Sequence, residues 1–518
     1  MPQTSNTTED AIKRDWLQKI EYIGNKLPDI TMLFIYALVI CWLLSWGLSY
    51  LDFDYINPVT KQPLVIVNLF QPTEILAFFT ALTKNFVNFP PLGITIVATI
   101  GIGIAEASGF INVGLSRALN IIPQKIVTPA VITVAVFAHI VADSAYVILM
   151  PVAALVFYLV GKHPLSGIAA SFAGLAGGFS ASFTPSIIDP IMQSFTQNAA
   201  RIIDPTYEVN ILANYFLSFG STFFVIGVCW YITDNIIDPR LKRTMPLDND
   251  LDHQHTEIQP PSPLDLKAFR WASAVFVLLA AGLFFAAAPQ DSLLRSPEGS
   301  LTSPSAPIMQ MIVPLLLLFF AVPSLIHGVI AKTFSDTRTV TKSMEKITYT
   351  LVPFIVFSFF CAQFLYSFNR SGIGTLIALS GAEFLKSLQM PSAITIFGVL
   401  ILTALLNIII TSATSKWAIL SSILVPMLMS VNISPELTQA AFRISDSVVN
   451  VSTPMFAFYP LLISYCQRYC KNTGVGTLCS MMIPYTIGLF IVLTLVLYLY
   501  WWLGIPLGFD SGYSYPKV

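Results

Sequence analysis

Residues 407–454 read NIIITSATSKWAILSSILVPMLMSVNISPELTQAAFRISDSVVNVSTP. The surroundings are apolar, yet the stretch carries Asn407, Ser412, Thr414, Ser415, Lys416 and Trp417, and then Arg443, Asp446, Ser447 and Asn450. A charge at the centre of a bilayer costs about 3 kcal/mol on insertion scales, so such groups face protein or a water-filled path. The stretch therefore reads as half of a transport site. Residues 139–190, which carry His139, Asp143 and Asp189, read as the other half.

Composition sets the class. The chain has 518 residues, of which 55% are hydrophobic and only 11% charged. Its mean hydropathy is +0.72. Many of its apolar runs are near the length that spans about 30 Å of hydrocarbon, as expected of an all-α polytopic membrane protein. The net charge of −1 carries no information about partners, because in membranes the placement of Lys and Arg matters, not their sum. No basic footprint for nucleic acid is present. The six cysteines are scattered without a CxxC pair, so neither a disulfide framework nor a metal site is expected. No P-loop supports direct drive by ATP.

Charge placement gives a topology. Residues 1–29 form a tail with Lys13, Arg14, Lys19 and Lys26, which the positive-inside rule puts in the cytoplasm. A first anchor follows at residues 30–51. Residues 52–89 are polar and then amphipathic, expected outside and partly along the membrane surface, and a second span covers 91–115. Residues 126–161 are too long for one span and short for two, with His139, Asp143, Ser144 and Tyr146 in the middle. A re-entrant hairpin fits both facts, its non-helical tip packed in protein or lining a cavity. Residues 164–196 cross outward through Gly174, Gly177, Gly178, Pro185 and Pro190, which predict a break near residues 180–186.

The second half repeats this plan in the opposite sense. A cytoplasmic linker at 235–268 joins a first membrane unit, 30–234, to a second, 269–503, and 504–518 form a C-terminal tail. In the second unit a hairpin at 391–432 starts and ends outside, and a broken span at 435–465 crosses inward. The total is nine transmembrane helices plus two re-entrant helical hairpins in an inverted repeat. ILMP at 148–151 echoes ILVP at 423–426, and PLSGIAASF from Pro164 echoes PELTQAAF from Pro435. Inverted repeats with discontinuous helices mark secondary transporters whose site lies near the midplane.

Each candidate residue has a structural alternative. His139 and Asp143, four apart, share a proton or simply pair on a helix face. Asp189 takes a substrate or proton role or caps a half-helix. Arg443 and Asp446, three apart, serve transport or form a self-satisfied ion pair. Trp417 binds or packs. Thr414 and Ser415, at a hairpin tip, are read as binding residues. The amide oxygens of Asn407 and Asn450, with Asp446, suit a hard cation such as Na⁺.

Several motifs together resemble the p-aminobenzoyl-glutamate transporter (AbgT) family, whose members include sulfonamide exporters of the MtrF type. These are IGNKLPDITMLFIY (23–36), NFPPLGITIVATIGIGIAE (88–106), AHIVADSAYVILMP (138–151), GKHPLSGIAASFAG (161–174), TDNIIDPRL (233–241), FRISDSVVNVSTPM (442–455) and VGTLCSMMIPY (475–485). The resemblance implies a homodimer of the ion-transporter superfamily, multi-pass in the bacterial inner membrane, with a substrate path in each protomer. Carried over by residue, it implies transport roles for Asp189, Thr414, Trp417, Arg443 and Asp446, a hinge at Pro435, and a cation site at Asn407 and Asp446. Ser182, where relatives carry Asn, and Lys416, an added charge at the second hairpin tip, depart from the family pattern.

The expected function is secondary active transport of a small aromatic carboxylate or antimetabolite by alternating access. The substrate class is p-aminobenzoyl-glutamate, p-aminobenzoate or sulfonamide, and the coupling ion H⁺ or Na⁺. A channel built on the same hairpins is the alternative, separable by single-channel currents. An intramembrane enzyme ranks last, since no nucleophile, base and orienting group occur together. The topology makes a direct prediction: a cysteine introduced between residues 248 and 256 should react with an impermeant maleimide from the cytoplasmic side alone. Labelling from outside would reverse the orientation.

Overall fold

The computed structural model describes residues 30–516 apart from 121–122, 124–125, 140–143, 248–261, 409 and 457. Asp143 and the N-terminal tail lie outside the described residues, as do residues 248–261 of the linker. The described chain is helical, with two isolated β-bridges and no named strand. In chain order the first half holds α1 (Ile30–Leu48), α2 (Pro72–Val87), α3 (Pro90–Ser108), α4 (Phe110–Asn120), α5 (Val127–Ala138), α6 (Ser144–Leu159), α7 (Pro164–Gly177), α8 (Ile188–Ala200), α9 (Tyr215–Ile232) and α10 (Asp238–Thr244). The second half holds α11 (Pro263–Ala287), α12 (Pro307–Gln310), α13 (Ile312–Ile330), α14 (Thr337–Tyr349), α15 (Val352–Ser371), α16 (Ile373–Ser387), α17 (Ser392–Asn407), α18 (Ala413–Met429), α19 (Pro435–Asn450), α20 (Tyr459–Gln467) and α21 (Val475–Leu503).

Among the described residues, seven helical stretches are long and apolar enough to cross a membrane. Five shorter apolar helices accompany them: α5, most of α6, α7, α17 and α18. The short ones are the elements expected to form hairpins and half-spans. Helix α11 is mostly exposed along its apolar length, with Leu278, Phe284 and Phe285 facing outward. In water such a surface would be a liability; in a bilayer it is the solvated face.

Several boundaries differ from the sequence reading for local reasons. The second span ends at Ser108 rather than continuing to residue 115, because Gly109 takes φ 85° and closes the helix. A left-handed φ is open to glycine without a Cβ clash. Helix α9 runs on through a π-turn at Thr233–Ile237 into α10, and α11 starts early at Pro263, where Ser262 and Asp265 form a capping box. The described ends of the linker are thus helical. The motif TDNIIDPRL now has a physical role. Asp234 accepts from Lys162 Nζ at 2.6 Å and Thr128 Oγ1 at 2.7 Å, while Asp238 accepts from the His163 backbone N–H at 2.7 Å. It ties the turn between α6 and α7 to the end of α9.

Packing relates the two halves reciprocally. Helix α7 packs on α5 and α6, and α19 packs on α17 and α18. After each break the chain crosses over, so that α8 packs on α18 and α20 on α6. Two large apolar clusters result. One joins α5, α6 and α7 to α9, α19, α20 and α21, and the other joins α1, α8, α15, α16 and α18.

The α6–α7 contact is close enough to specify glycine. A Cβ on Gly167 would lie 2.5 Å from the Ala153 carbonyl oxygen, whereas one on Gly47 would meet nothing within 4 Å. Gly167→Val should therefore destabilise the detergent-solubilised protein by about 1–3 kcal/mol, the usual cost of overpacking. Gly47→Val should have little effect. Equal melting temperatures for the two variants would contradict the packing.

Candidate functional site

The site is built on two interrupted helices. Helix α7 ends at Gly177 and α8 starts at Ile188; α19 ends at Asn450 and α20 starts at Tyr459. The first gap contains the region 180–186 in which a break is expected. Asp189 lies in the first turn of α8, and its Oδ2 accepts from the Ser186 backbone N–H at 2.7 Å and from Ser186 Oγ at 3.2 Å. A carboxylate there satisfies otherwise orphaned donors and complements the positive end of the half-helix. Asp189 is thus not the N-cap, which is Ile187, but it ties down the backbone just before α8, and it has a second partner.

That partner is Arg443. Its Nη1 donates to Asp189 Oδ1 at 2.7 Å, and its Nη2 donates to the carbonyl of Phe179 at 2.9 Å, inside the first break. The guanidinium carbon stands 5.7 Å from the centre of the Phe179 ring. Ser180 Oγ and Ser447 Oγ are 2.5 Å apart and add a further stitch. Arg443 and Asp446, three apart on α19, do not pair with each other. Each reaches a different element.

Asp446 takes Lys416. The Lys416 ammonium, from the first turn of α18, ion-pairs with Asp446 Oδ1 and donates to Asn407 Oδ1 at the end of α17. Asn407 Nδ2 donates to the Asp446 carbonyl at 2.7 Å, and Asn450 Nδ2 to Asp446 Oδ2 at 3.1 Å. Lys416 and Asp446 are buried to 2% and 0% exposure. A lone charge so placed would carry a desolvation cost of several kcal/mol, so the pairing explains how both persist. The sequence reading treated Lys416 as an added charge at the second hairpin tip and did not identify it as the partner of Asp446. Its spacing of nine residues from Asn407 across a helix break hides the contact.

The fit of Na⁺ to Asn407, Asp446 and Asn450 can be tested on these contacts. The ammonium engages Asn407 Oδ1 and Asp446 Oδ1, and Asp446 Oδ2 receives the Asn450 amide. Of the expected oxygen set, Asp446 Oδ1 and Asn450 Oδ1 are buried without a hydrogen-bond partner, and the first is held by its ion pair with Lys416, which leaves Asn450 Oδ1 with neither. One oxygen is not a cage for a hard cation, which needs several. With Lys416 in place the residues do not fit Na⁺.

A cavity of about 830 Å³ adjoins this cluster. Thr414, Asp446, Asn450 and His139 line it among the expected residues, with Tyr146, Phe456 and Phe458 supplying an aromatic wall. The rings of Tyr146 and Phe458 are stacked at 4.6 Å. It extends to Glu106 on α3 and to Ser343 and Lys346 on α14; Lys346 belongs with Lys332, Arg338 and Lys342 to a basic run that the positive-inside rule puts in the cytoplasm, and none of the three lining residues was a candidate site residue. Asp189, Arg443, Ser415, Trp417, Asn407 and Pro435 lie outside its lining. Ser415 Oγ pairs with the N-cap residue Ser412 at 2.8 Å, and Pro435 occupies the first turn of α19 behind its cap Ser434.

Trp417 is fully buried, and its indole N–H donates to Thr196 Oγ1 at 2.9 Å. Thr196 donates to Gln439 at 2.6 Å, Gln439 to Asn214 at 2.8 Å, and Asn214 to the Glu436 carbonyl at 3.0 Å. Tyr207 OH donates to the Glu436 carboxylate at 2.9 Å. This chain of hydrogen bonds joins α8, α18 and α19 beside the ion pairs. Sequence reading noted Glu436 only as part of a repeat echo, although a carboxylate in an apolar run is a signal in itself.

The model of the AbgT putative transporter family matches residues 15–515. The chain belongs to that family. It is 32% identical over 490 residues to the p-aminobenzoyl-glutamate transport protein of Escherichia coli (strain K12), covering 94% of this chain and 95% of that relative. The crystal structure of the Alcanivorax borkumensis YdaH transporter superposes with a TM-score of 0.87 at 33% identity, covering 93% of this chain and all of that one. Neisseria gonorrhoeae MtrF, described as illuminating a class of antimetabolite efflux pumps, superposes at 0.88 and 34% identity over 97% of this chain. This AbgT-family chain is a multi-pass membrane transporter and not an enzyme.

In the AbgT-family chain the Arg443–Asp189 pair is a structural latch between the halves. Removing one partner strands a buried charge at a cost of about 3–5 kcal/mol, whereas removing both is much milder. Arg443→Met should lower the melting temperature well below that of the Asp189→Asn, Arg443→Met double variant. Additive losses in a double-mutant cycle would show that the pair is not coupled.

Proposed function

We propose that this chain is a secondary active transporter of small aromatic carboxylates or antimetabolites of the p-aminobenzoyl-glutamate and sulfonamide class, working by alternating access in the inner membrane. The observation that carries this reading is the cavity ending on charged half-helices. Its wall joins stacked aromatic rings to hydroxyl, amide and carboxyl groups from both halves of the chain. An aromatic ring with polar substituents suits such a wall: the rings bury the substrate's apolar faces, and Thr414, Asn450 and His139 meet its edges. The named substrates of the relatives fall in that class.

The seven long helices, with α7–α8 and α19–α20 as two broken crossings, make nine spans, and α5–α6 and α17–α18 make the re-entrant hairpins. Pro435, at the start of α19, is the hinge. The cavity reaches Lys346, which charge placement assigns to the cytoplasmic side, so this conformation is inward-facing. The hydrogen-bond chain from Trp417 to Glu436 is then the closed outer gate. When the Arg443–Asp189 latch opens, Arg443 is free to meet a substrate carboxylate. An ion gradient drives the exchange, and two copies form the working homodimer.

The test is transport in proteoliposomes under separately imposed H⁺ and Na⁺ gradients, with p-aminobenzoyl-glutamate and a sulfonamide as substrates. Wild type should accumulate or expel at least one of them against its gradient. Asp446→Ala and Arg443→Ala should cut the initial rate roughly tenfold or more, equivalent to a loss of about 1.4 kcal/mol or more at the site. Full rates in both folded variants would refute the site. Failure of wild type to move either compound would refute the substrate class.

A further inference from the structure

We propose that Lys416 is the resident cation of this transporter: its ammonium replaces Na⁺ at the site formed by Asn407, Asp446 and Asn450, so that the protein neither binds nor requires Na⁺, and removing the amine creates a Na⁺ site. This rests on the transport reading for its functional meaning, but the binding claim stands on geometry alone.

Three observations carry it. First, the ammonium joins α17, α18 and α19 at one point, contacting Asn407 Oδ1 and Asp446 Oδ1. Second, charges around the breaks are matched. Asp446 is paired with Lys416 and Asp189 with Arg443, all four deeply buried. A Na⁺ added beside Lys416 would place an uncompensated charge in the same low-dielectric pocket, where it meets both desolvation cost and repulsion from the ammonium. Third, the remaining amide oxygen, Asn450 Oδ1, is buried without a protein partner and stands next to the Asp446 carboxylate, its own amide nitrogen donating to Oδ2. It is the leftover ligand of a set whose other members the lysine has taken.

Without the amine the same geometry becomes a cation cage. The Asn407 and Asp446 oxygens lose their partner while Asn450 Oδ1 remains free, which leaves three oxygens from α17 and α19 and one net negative charge. That is the donor chemistry of a hard monovalent cation. Lys416 is also flanked by Phe442, whose ring centre lies 6.0 Å from Nζ, and by the buried Trp417. Cation exchange at this point therefore has an optical reporter one residue away.

The experiment measures Na⁺ binding by the purified full-length protein without substrate. Melting temperature and intrinsic tryptophan fluorescence are read in NaCl against choline chloride at fixed ionic strength, with radioactive Na⁺ in equilibrium dialysis, for wild type, Lys416→Met, Lys416→Ala and Lys416→Arg. Wild type and Lys416→Arg should respond identically to the two salts and retain no Na⁺. Lys416→Met or Lys416→Ala should gain a saturable rise of a few degrees in melting temperature with Na⁺, and Asp446→Asn added to either should abolish it. Stoichiometric Na⁺ binding by wild type overturns the proposal, and this arm decides even if both uncharged variants fail to fold. Folded uncharged variants that bind no Na⁺ overturn the claim of a latent site. Neither result depends on transport, so failure of the substrate assignment is separately visible.

Discussion

Four buried charges, arranged as two pairs across helix interruptions, are the constraint on which the rest of the structure depends. Asp189 and Arg443 join the first break to α19, while Asp446 and Lys416 join α19 to the second hairpin. A break in a membrane helix exposes backbone groups that lipid cannot satisfy, so it persists only where protein or water replaces the missing partners. The Ser186 backbone N–H on Asp189 and the Phe179 carbonyl on Arg443 are such replacements. Asp189 and Arg443 therefore each have two duties, to neutralise the other and to tie down loose backbone, while Lys416 and Asp446 hold each other and the amides of Asn407 and Asn450. Loss of one member removes both at once, which is why the pairs are better described as joints than as isolated salt bridges.

The fold was legible wherever length and polarity disagree. Runs such as 126–161 and 391–432 are awkward for whole spans, and the observed helices Val127–Ala138, Ser144–Leu159, Ser392–Asn407 and Ala413–Met429 are correspondingly short. The break around Ser180 followed from glycine and proline placement, a local signal. Boundaries were less legible. Gly109 ends a helix inside an apolar run because of its φ, and the π-turn at Thr233 extends a helix past a run of polar residues. Both depend on the neighbours each end must meet, and a hydropathy pattern does not encode those.

The site was legible as a set of residues but not as a set of partners. Arg443 and Asp446 invite pairing by sequence proximity, yet α19 points one toward α8 and the other toward the hairpin tip. Lys416 reads as an excess charge until Asn407 and Asp446 are seen beside it. The cavity drew in Glu106 from an apolar helix and Lys346 from the polar α14, where nothing in the spacing says which of the charges faces the cavity. Sequence spacing governs contacts within one helix; once helices interrupt and cross, the three-dimensional path decides.

Two different kinds of closure meet at α19. On one side stand ion pairs, each costly to separate in a dry interior. On the other stands the relay from Trp417 through Thr196, Gln439 and Asn214 to Glu436, made chiefly of neutral hydrogen bonds. A net contribution of about 0.5–1.5 kcal/mol for each such bond makes the relay a barrier that differential substrate binding can overcome. The ion pairs are too strong to serve as the moving gate unless water or substrate takes over each partner as they part. In the proposed transport cycle the neutral relay therefore parts first, and the charged joints of α19 to α8 and to the second hairpin part only where substrate or water replaces a partner. In that proposed cycle rigidity lies at the charges and mobility at the amides and hydroxyls, so one helix holds the site together while a path opens to it.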